Sequence, residues 1–302
     1  MAKPQHPRAF GVTVFWTLGL LFLGSLVHAT ESSLACPDWP TCFGTMVPEM
    51  TGGVFWEHLH RLVAGGLILI FLAATYLAWK EEPRYRWIRP AALVGMALLL
   101  VQAALGGITV LLRLPDAVST SHLGLAFLFL ALATVLAVVS GPGWAQGTEL
   151  REESRVCLCR GAIGGAGLAF AQSLLGAAVR HTDAGMACPD VPLCLGELVP
   201  PLQNGLVALQ FSHRVVGIGV LAVVLWVGHV AYRRSGSRRI RLLGLSLTAV
   251  ALAQVLLGFL SVYFRLGVVP VSLHTLMAAT LLTLLVSTAA MTWAPEPKEN
   301  VV

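Results

Sequence analysis

Long runs of apolar residues alternate with short polar segments along most of the chain. Eight runs reach the roughly 20 residues that an α-helix needs to cross a bilayer. They cover approximately 10–28, 54–79, 88–112, 117–140, 158–179, 206–231, 240–264 and 270–293. The polar segment from Gly141 to Arg155 contains Pro142 and is interpreted as a linker between the fourth and fifth runs. The pattern predicts an all-α polytopic membrane protein with eight transmembrane helices.

Composition supports this interpretation. The chain of 302 residues is 56% hydrophobic and only 12% charged, with a mean hydropathy of +0.78. Soluble domains do not carry so little polar surface. A net charge of +5 could indicate nucleic-acid binding, but the basic residues fall in short segments between apolar runs, as the positive-inside rule describes. We therefore predict that the chain contacts membrane lipid and no nucleic acid.

The basic residues also predict the orientation of the chain. Most of them lie before the first run, between the second and third, in the linker, between the sixth and seventh, and in the tail. With eight spans these segments share one side, so both termini are predicted to be cytoplasmic in a bacterial plasma membrane. Arginines at the opposite ends of the runs are Arg61, Arg113, Arg180, Arg214 and Arg265.

Several short motifs occur twice. Cys36-Pro-Asp-Trp-Pro-Thr-Cys42 returns as Cys188-Pro-Asp-Val-Pro-Leu-Cys194, and the spacing between copies stays at about 152 residues. Other matched pairs are His60-Arg61 with His213-Arg214, Gln102–Gly106 with Gln254–Gly258, Arg113 with Arg265, and His122 with His274. We interpret the chain as a duplicated four-helix unit, with halves at 1–145 and 146–302. An even number of spans per copy predicts two parallel-repeat four-helix bundles.

Four histidines lie at matched depth near the outer ends of the even-numbered runs: His60, His122, His213 and His274. Each is five to seven residues inside its run, about 8–10 Å deep. Two imidazoles from facing helices can take both axial positions of a haem iron. The alternative for any single histidine is a bond to a backbone carbonyl. For four paired histidines, haem or another metal is favoured, and zinc is less suitable because it needs more close ligands.

Glu57 has no acidic counterpart in the second half. It precedes His60 by three residues and shares its helix face, whereas the matching position holds the neutral Gln210. One interpretation makes Glu57 a catalytic acid–base group or charge stabiliser, which places the substrate in the amino-terminal half and a permanent cofactor in the carboxy-terminal half. The other makes it a structural partner of Arg61.

The paired outer arginines also have two interpretations. A guanidinium binds carboxylates through two hydrogen bonds, so these side chains are candidates for the anionic propionates of a porphyrin. They could equally contact lipid headgroups. The candidates are Arg61 and Arg113 in the first half, and Arg214 and Arg265 in the second.

The cysteines of the repeated motif lie on the outer side. We predict that Cys36 pairs with Cys42, and Cys188 with Cys194, because the outside is oxidising. Each small loop would then form a rigid lid over the histidine pair below it. A redox-active pair that exchanges electrons is the alternative, particularly for Cys36 and Cys42.

These motifs together resemble the bacterial haem A synthases over almost the whole chain. The resemblance rests on the eight runs, the duplication, the Glu57-His-Leu-His-Arg61 segment, the later paired histidines and the Cys-Pro-Asp-Trp-Pro-x-Cys loop. It implies oxidation of the C8 methyl group of haem O to the formyl group of haem A by successive hydroxylations. It implies haem b held by His213 and His274, haem O near His60 and His122, and a need for Glu57. It also implies a haem O synthase as partner and cytochrome oxidase as the destination of the product, and a quinone is a candidate electron acceptor.

Two other functions fit the histidines. A dihaem b-type electron-transfer cytochrome would hold two permanent haems and form no new one. A haem carrier would return its haem unchanged.

Overall fold

The computed structural model describes residues 4–81, 83, 85–141, 144 and 150–293. It contains eight long α-helices, each long and apolar enough to cross a membrane. They are α1 (His6–Ala29), α2 (Gly52–Lys80), α3 (Ile88–Leu111), α4 (Asp116–Ser140), α5 (Glu152–His181), α6 (Gly205–Arg234), α7 (Arg238–Tyr263) and α8 (Val268–Thr292). A short 3₁₀ turn covers Ala184–Met186. No strand occurs in these ranges, so the all-helical, eight-span prediction is confirmed.

Several helices begin earlier than their apolar runs. α5 is the clearest case, because it starts at Glu152 whereas its apolar run starts near residue 158. Its 30 residues would be about 45 Å long, which exceeds the roughly 30 Å of the hydrocarbon layer. Glu152 and Glu153 occupy the first turn, where negative charge complements the helix dipole. Hydropathy therefore marks the part of the helix in lipid and misses its polar first turns.

The helices pack in two sets of four. In each set every helix contacts the next along the chain, and the first also contacts the fourth. Between the sets, α1 and α4 pack against α8, and α4 also packs against α5. The proposed division at residues 145 and 146 lies outside the described residues, as do Pro142 of the linker and the basic residues Lys3, Arg84 and Lys298.

Aromatic side chains fill the core of the first set. Phe71 lies between Phe10 and Phe129, at ring-centroid distances of 6.0 and 5.1 Å. These phenylalanines are almost fully buried, and their cluster also includes Ala279 and Leu282 of α8. The apolar core therefore continues across the seam between the two sets and holds them together.

Two segments with disulfides connect helices on the same side of the molecule. We call residues 30–51, between α1 and α2, the first disulfide loop, and residues 182–204, between α5 and α6, the second disulfide loop. Each contains the predicted bond, Cys36–Cys42 in one and Cys188–Cys194 in the other.

Candidate metal centres

The fold brings the four candidate histidines together as two pairs, one in each set of helices. His60 and His122 lie in α2 and α4, and His213 and His274 lie in α6 and α8. His60 and His213 lie about 12 Å from the start of their helices, and His122 and His274 lie about 9 Å from the start of theirs. Within each pair the rings are close enough to interact electrostatically.

Each of these rings packs against a glycine on a neighbouring helix. A Cβ atom at that glycine would lie 2.8–3.1 Å from the Cε1 atom of the ring. The pairs are Gly24 with His60, Gly106 with His122, Gly176 with His213 and Gly258 with His274. Such a distance is shorter than nearly all real Cβ contacts, so a side chain there would displace the ring. Gly24 and Gly176 were not predicted as neighbours of the candidate histidines, although their spacing of about 152 residues matches that of the repeated motifs.

Glutamines contact the rings of His122 and His274 in the same way. The amide Nε2 of Gln102 lies 3.4 Å from His122 Nε2, and that of Gln254 lies 3.3 Å from His274 Nε2. His274 also donates from Nδ1 to the backbone carbonyl of Gln254, at 3.0 Å. That bond makes Nε2 of His274 the unprotonated ring nitrogen, and its lone pair faces the amide of Gln254.

The other two histidines differ from each other. Gln172 donates from its amide nitrogen to His213 Nδ1 at 3.0 Å and to the backbone carbonyl of His213 at 2.8 Å. The matching position in the first half is Leu20, which has no polar group to offer. In the part of the chain that is described, the buried Nδ1 atoms of His60 and His122 have no hydrogen-bond partner. The second pair is therefore more firmly held by protein groups than the first.

These donor sets fit a haem better than an isolated metal ion. Among the described residues, three or more potential ligand atoms come close together only at Cys36, Cys42 and His58. Neither histidine pair therefore has a third protein ligand, which a tetrahedral zinc site would need. Two imidazoles in a bundle core match the axial ligands of a haem iron, and the glycines leave room beside the rings.

Arg61 fastens the first disulfide loop onto α2. Its guanidinium donates to the carbonyls of Asp38 at 2.7 Å, Thr41 at 2.5 Å and Cys36 at 3.3 Å. The same group forms an ion pair with Glu57, with 2.6 Å between Nη2 and Oε1. These contacts turn the guanidinium toward the loop, and its predicted propionate contact stays a prediction.

Arg214 makes the same three contacts in the second disulfide loop. It donates to the carbonyls of Asp190 at 2.8 Å, Leu193 at 2.7 Å and Cys188 at 2.5 Å. These three carbonyls occupy the positions that match the ones bound by Arg61. The repeated motifs did not by themselves predict these contacts. The other paired arginines, Arg113 and Arg265, are exposed at the tight turns after α3 and α7.

The acid of the first half lies beside the loop as well as beside the histidine. Glu57 is only 4% exposed and accepts a hydrogen bond from the backbone amide of Cys36, at 2.8 Å. Its counterpart Gln210 donates to the carbonyl of Gly185, at 3.2 Å. Glu57 thus contacts the loop on one side and lies one helical turn from His60 on the other.

Asp38 organises the tip of the first disulfide loop. Its carboxylate accepts from the hydroxyl of Thr41 and from the backbone amides of Phe43 at 2.6 Å and Gly44 at 2.9 Å. The hydrogen bond from Thr41, followed by that from Gly44, holds the pKa of Asp38 below its ordinary value of 3.8.

The two disulfides have different neighbours. His58 is 3% exposed, lies beside the first disulfide and donates from Nε2 to the carbonyl of Met46, at 3.1 Å. Its counterpart Phe211 packs against the second disulfide. His58 is not among the predicted site residues, and it lies on a different face of α2 from His60 because the two are only two residues apart.

Comparisons with known proteins identify the family of the chain. Residues 8–286 match the COX15-CtaA family, described as "Cytochrome oxidase assembly protein". The "Heme A synthase" of Lysinibacillus sphaericus is 28% identical over 94% of this chain and 94% of its own. That of Symbiobacterium thermophilum is 30% identical over 83% of this chain and 84% of its own. The eight-helix chain with its two half-buried histidine pairs thus belongs to the COX15-CtaA family of cytochrome oxidase assembly proteins.

Proposed function

We propose that this protein is a haem A synthase, an oxidoreductase that converts the C8 methyl group of haem O to the formyl group of haem A for cytochrome oxidase. The reaction proceeds by successive hydroxylations of the methyl carbon. One observation carries the proposal: a member of this family places two half-buried histidine pairs in two four-helix sets, and only one pair has an acid beside it.

The two pairs take different roles in this proposal. His213 and His274 hold haem b as a resident cofactor, since protein groups hydrogen-bond the Nδ1 atoms of both rings, whereas the Nδ1 atoms of His60 and His122 have no such partner among the described residues. His60 and His122 receive haem O, the substrate, which has to leave after oxidation. The lack of a hydrogen-bond partner for Nδ1 of His60 among the described residues suits a site that exchanges its ligand. When bound, haem supplies the one-electron chemistry that no side chain of this chain provides.

Glu57 is the acidic group proposed for the reaction. Its carboxylate lies within one turn of His60, and its ion pair with Arg61 keeps it charged in a buried place. A charged carboxylate there can accept a proton from water or stabilise positive charge on the reacting carbon. The loop contacts hold the carboxylate in one position, so a structural role and a catalytic role are compatible.

The test is haem extraction from cells that also express a haem O synthase, the proposed supplier of substrate. The unaltered protein should yield haem A, identified by mass. Glu57→Gln should accumulate haem O, or a hydroxylated intermediate, and the matched variant Gln210→Glu should retain haem A formation. A normal haem A yield from Glu57→Gln would remove Glu57 from the mechanism. Two haems b without haem A would indicate an electron-transfer cytochrome, and release of unchanged haem O a carrier.

The proposed setting is a bacterial plasma membrane with both termini in the cytoplasm. Basic residues in the segments after the even-numbered helices support this orientation. Both disulfides then face the oxidising side. Electrons removed from the substrate would pass to a membrane acceptor, for which a quinone is the proposed class.

A further inference from the structure

Arg180 is a charged side chain at the seam between the two helix sets. It is the second-last residue of α5, and its guanidinium reaches across to α1. There it donates to the hydroxyl and the backbone carbonyl of Ser25, both at 3.3 Å. These are long bonds to neutral acceptors, and they use only two of the five N–H groups of the guanidinium.

No carboxylate neutralises Arg180 within the described ranges. The ion pairs there join His6 with Glu81, Arg61 with Glu57, and Arg155 with Glu152. Asp183, three residues along the chain, is exposed and forms no ion pair with it. A charge inside a membrane protein is costly without a partner, and such residues commonly face a ligand.

The position of Arg180 points to the carboxy-terminal histidine pair. It follows Gly176 by four residues, so it lies one turn further out on the same helix face. Gly176 is the residue against which His213 packs. On the other side, the hydroxyl of Ser25 donates to Thr275 at 3.1 Å, and Thr275 is adjacent to His274 in α8.

We propose that Arg180, braced by Ser25 of the opposite half, binds a carboxylate of the porphyrin held between His213 and His274. This inference rests on the proposed function, because it assumes a haem in that half. A propionate is the carboxylate that such a ligand carries, and a guanidinium can bind it through two charge-assisted hydrogen bonds. The position matching Arg180 in the first half is His28, so the substrate site lacks a permanent cation there.

The contact with Ser25 also links the two sites. Ser25 is 7% exposed and follows Gly24, which packs against His60. Arg180, the proposed anchor of the resident porphyrin, is therefore held in position by α1, the helix that borders the substrate site. Loss of the Ser25 hydroxyl should loosen the resident haem even though Ser25 belongs to the other half.

The test measures haem release from the purified full-length protein to excess apomyoglobin, by absorbance. One preparation carries its natural haem, and a second is reconstituted with haem dimethyl ester, which has no free carboxylates. Arg180→Gln should release the natural haem on the order of tenfold faster than the unaltered protein, the usual size for a lost charge-assisted bond. It should release the ester at the unaltered rate. Arg180→Lys should release the natural haem at a rate between those of the unaltered protein and Arg180→Gln. Ser25→Ala should accelerate release of the natural haem by a smaller factor, and it should not accelerate release of the ester.

Arg160→Gln is the matched control, because it removes the same charge from an exposed position of α5 about 30 Å from Arg180 along the helix. It should release both haems at the unaltered rate. Unchanged release of the natural haem from Arg180→Gln, or equal acceleration for both haems, would overturn the proposal. Equal acceleration would show that Arg180 stabilises the helices or contacts lipid headgroups. If the unaltered protein bound no haem through His213 and His274, the proposed function would fail as well. That outcome is recognised because the haem absorption spectrum of His274→Ala would then equal that of the unaltered protein.

Discussion

Replacing Arg61 with alanine should destabilise the protein more than the same change at Arg214. Both arginines donate to three matched carbonyls of their disulfide loops. Only Arg61 also neutralises a carboxylate, since Glu57 lies 2.6 Å away and is almost fully buried. Arg61→Ala would leave that carboxylate with the backbone amide of Cys36 as its remaining donor. Arg214→Ala would leave only neutral groups, because Gln210 occupies the equivalent position.

The size of the difference follows from the two kinds of loss. The carbonyl bonds are common to both variants and largely cancel in the comparison. Removing one member of a buried ion pair typically costs about 3–5 kcal/mol, because the other charge stays buried without a partner. Cys36 still donates to Glu57, and a hydrogen bond to a charged group contributes about 1.5–3 kcal/mol. Because Cys36 still supports the carboxylate, we expect the lower end of the range for a broken ion pair, so that Arg61→Ala lowers the free energy of unfolding by about 3 kcal/mol more than Arg214→Ala does.

The assay is unfolding in mixed micelles by increasing sodium dodecyl sulfate, followed by tryptophan fluorescence of the purified chain. The double variant Glu57→Gln/Arg61→Ala completes a cycle, because the amide removes the stranded charge. It should recover most of the extra loss and resemble Arg214→Ala. Equal losses for the two single arginine variants, or no recovery in the double variant, would refute the claim that a buried ion pair distinguishes the two loops.

Two further predictions concern the histidine pairs and the first disulfide loop. Gly176→Ala should reduce the haem content of the purified protein several-fold, because the new methyl group would lie 2.8 Å from the ring of His213; Gly164→Ala, which meets nothing within 4 Å, should leave the visible absorption spectrum unchanged. The depressed pKa of Asp38 stabilises the loop above the ordinary value of 3.8, and this contribution disappears as the pH falls through the lower folded value. The native chain and Asp38→Asn should therefore differ near pH 6 in the rate at which a phosphine reduces the loop disulfide, and the difference should shrink as the pH falls below the ordinary value of 3.8. A constant ratio of the two rates across this range would contradict the assignment.

The sequence alone determined the membrane class, the eight helices and the matched pairs of histidines. Lipid offers no hydrogen bonds, so a spanning segment must satisfy its own backbone as a helix and remain apolar. Both requirements leave a signal in local composition. The fixed spacing between the copies of each motif added His213 and His274 to His60 and His122 without any structure. The ends of the helices were less accurate, because polar first turns such as Glu152 and Glu153 lie beyond the apolar run.

Only the tertiary structure decided what surrounds those histidines. The contact from Arg180 to Ser25 joins residues that are 155 positions apart, and no periodic pattern connects them. The approach of His213 to Gly176 and the fastening of the first disulfide loop by Arg61 likewise depend on how separate helices pack. Hydrophobicity records which segments enter the membrane, whereas directional bonds between distant polar groups form only once the helices have fixed positions. The candidate ligand residues were therefore recognisable from local motifs, whereas the contacts that support them depend on how the helices pack.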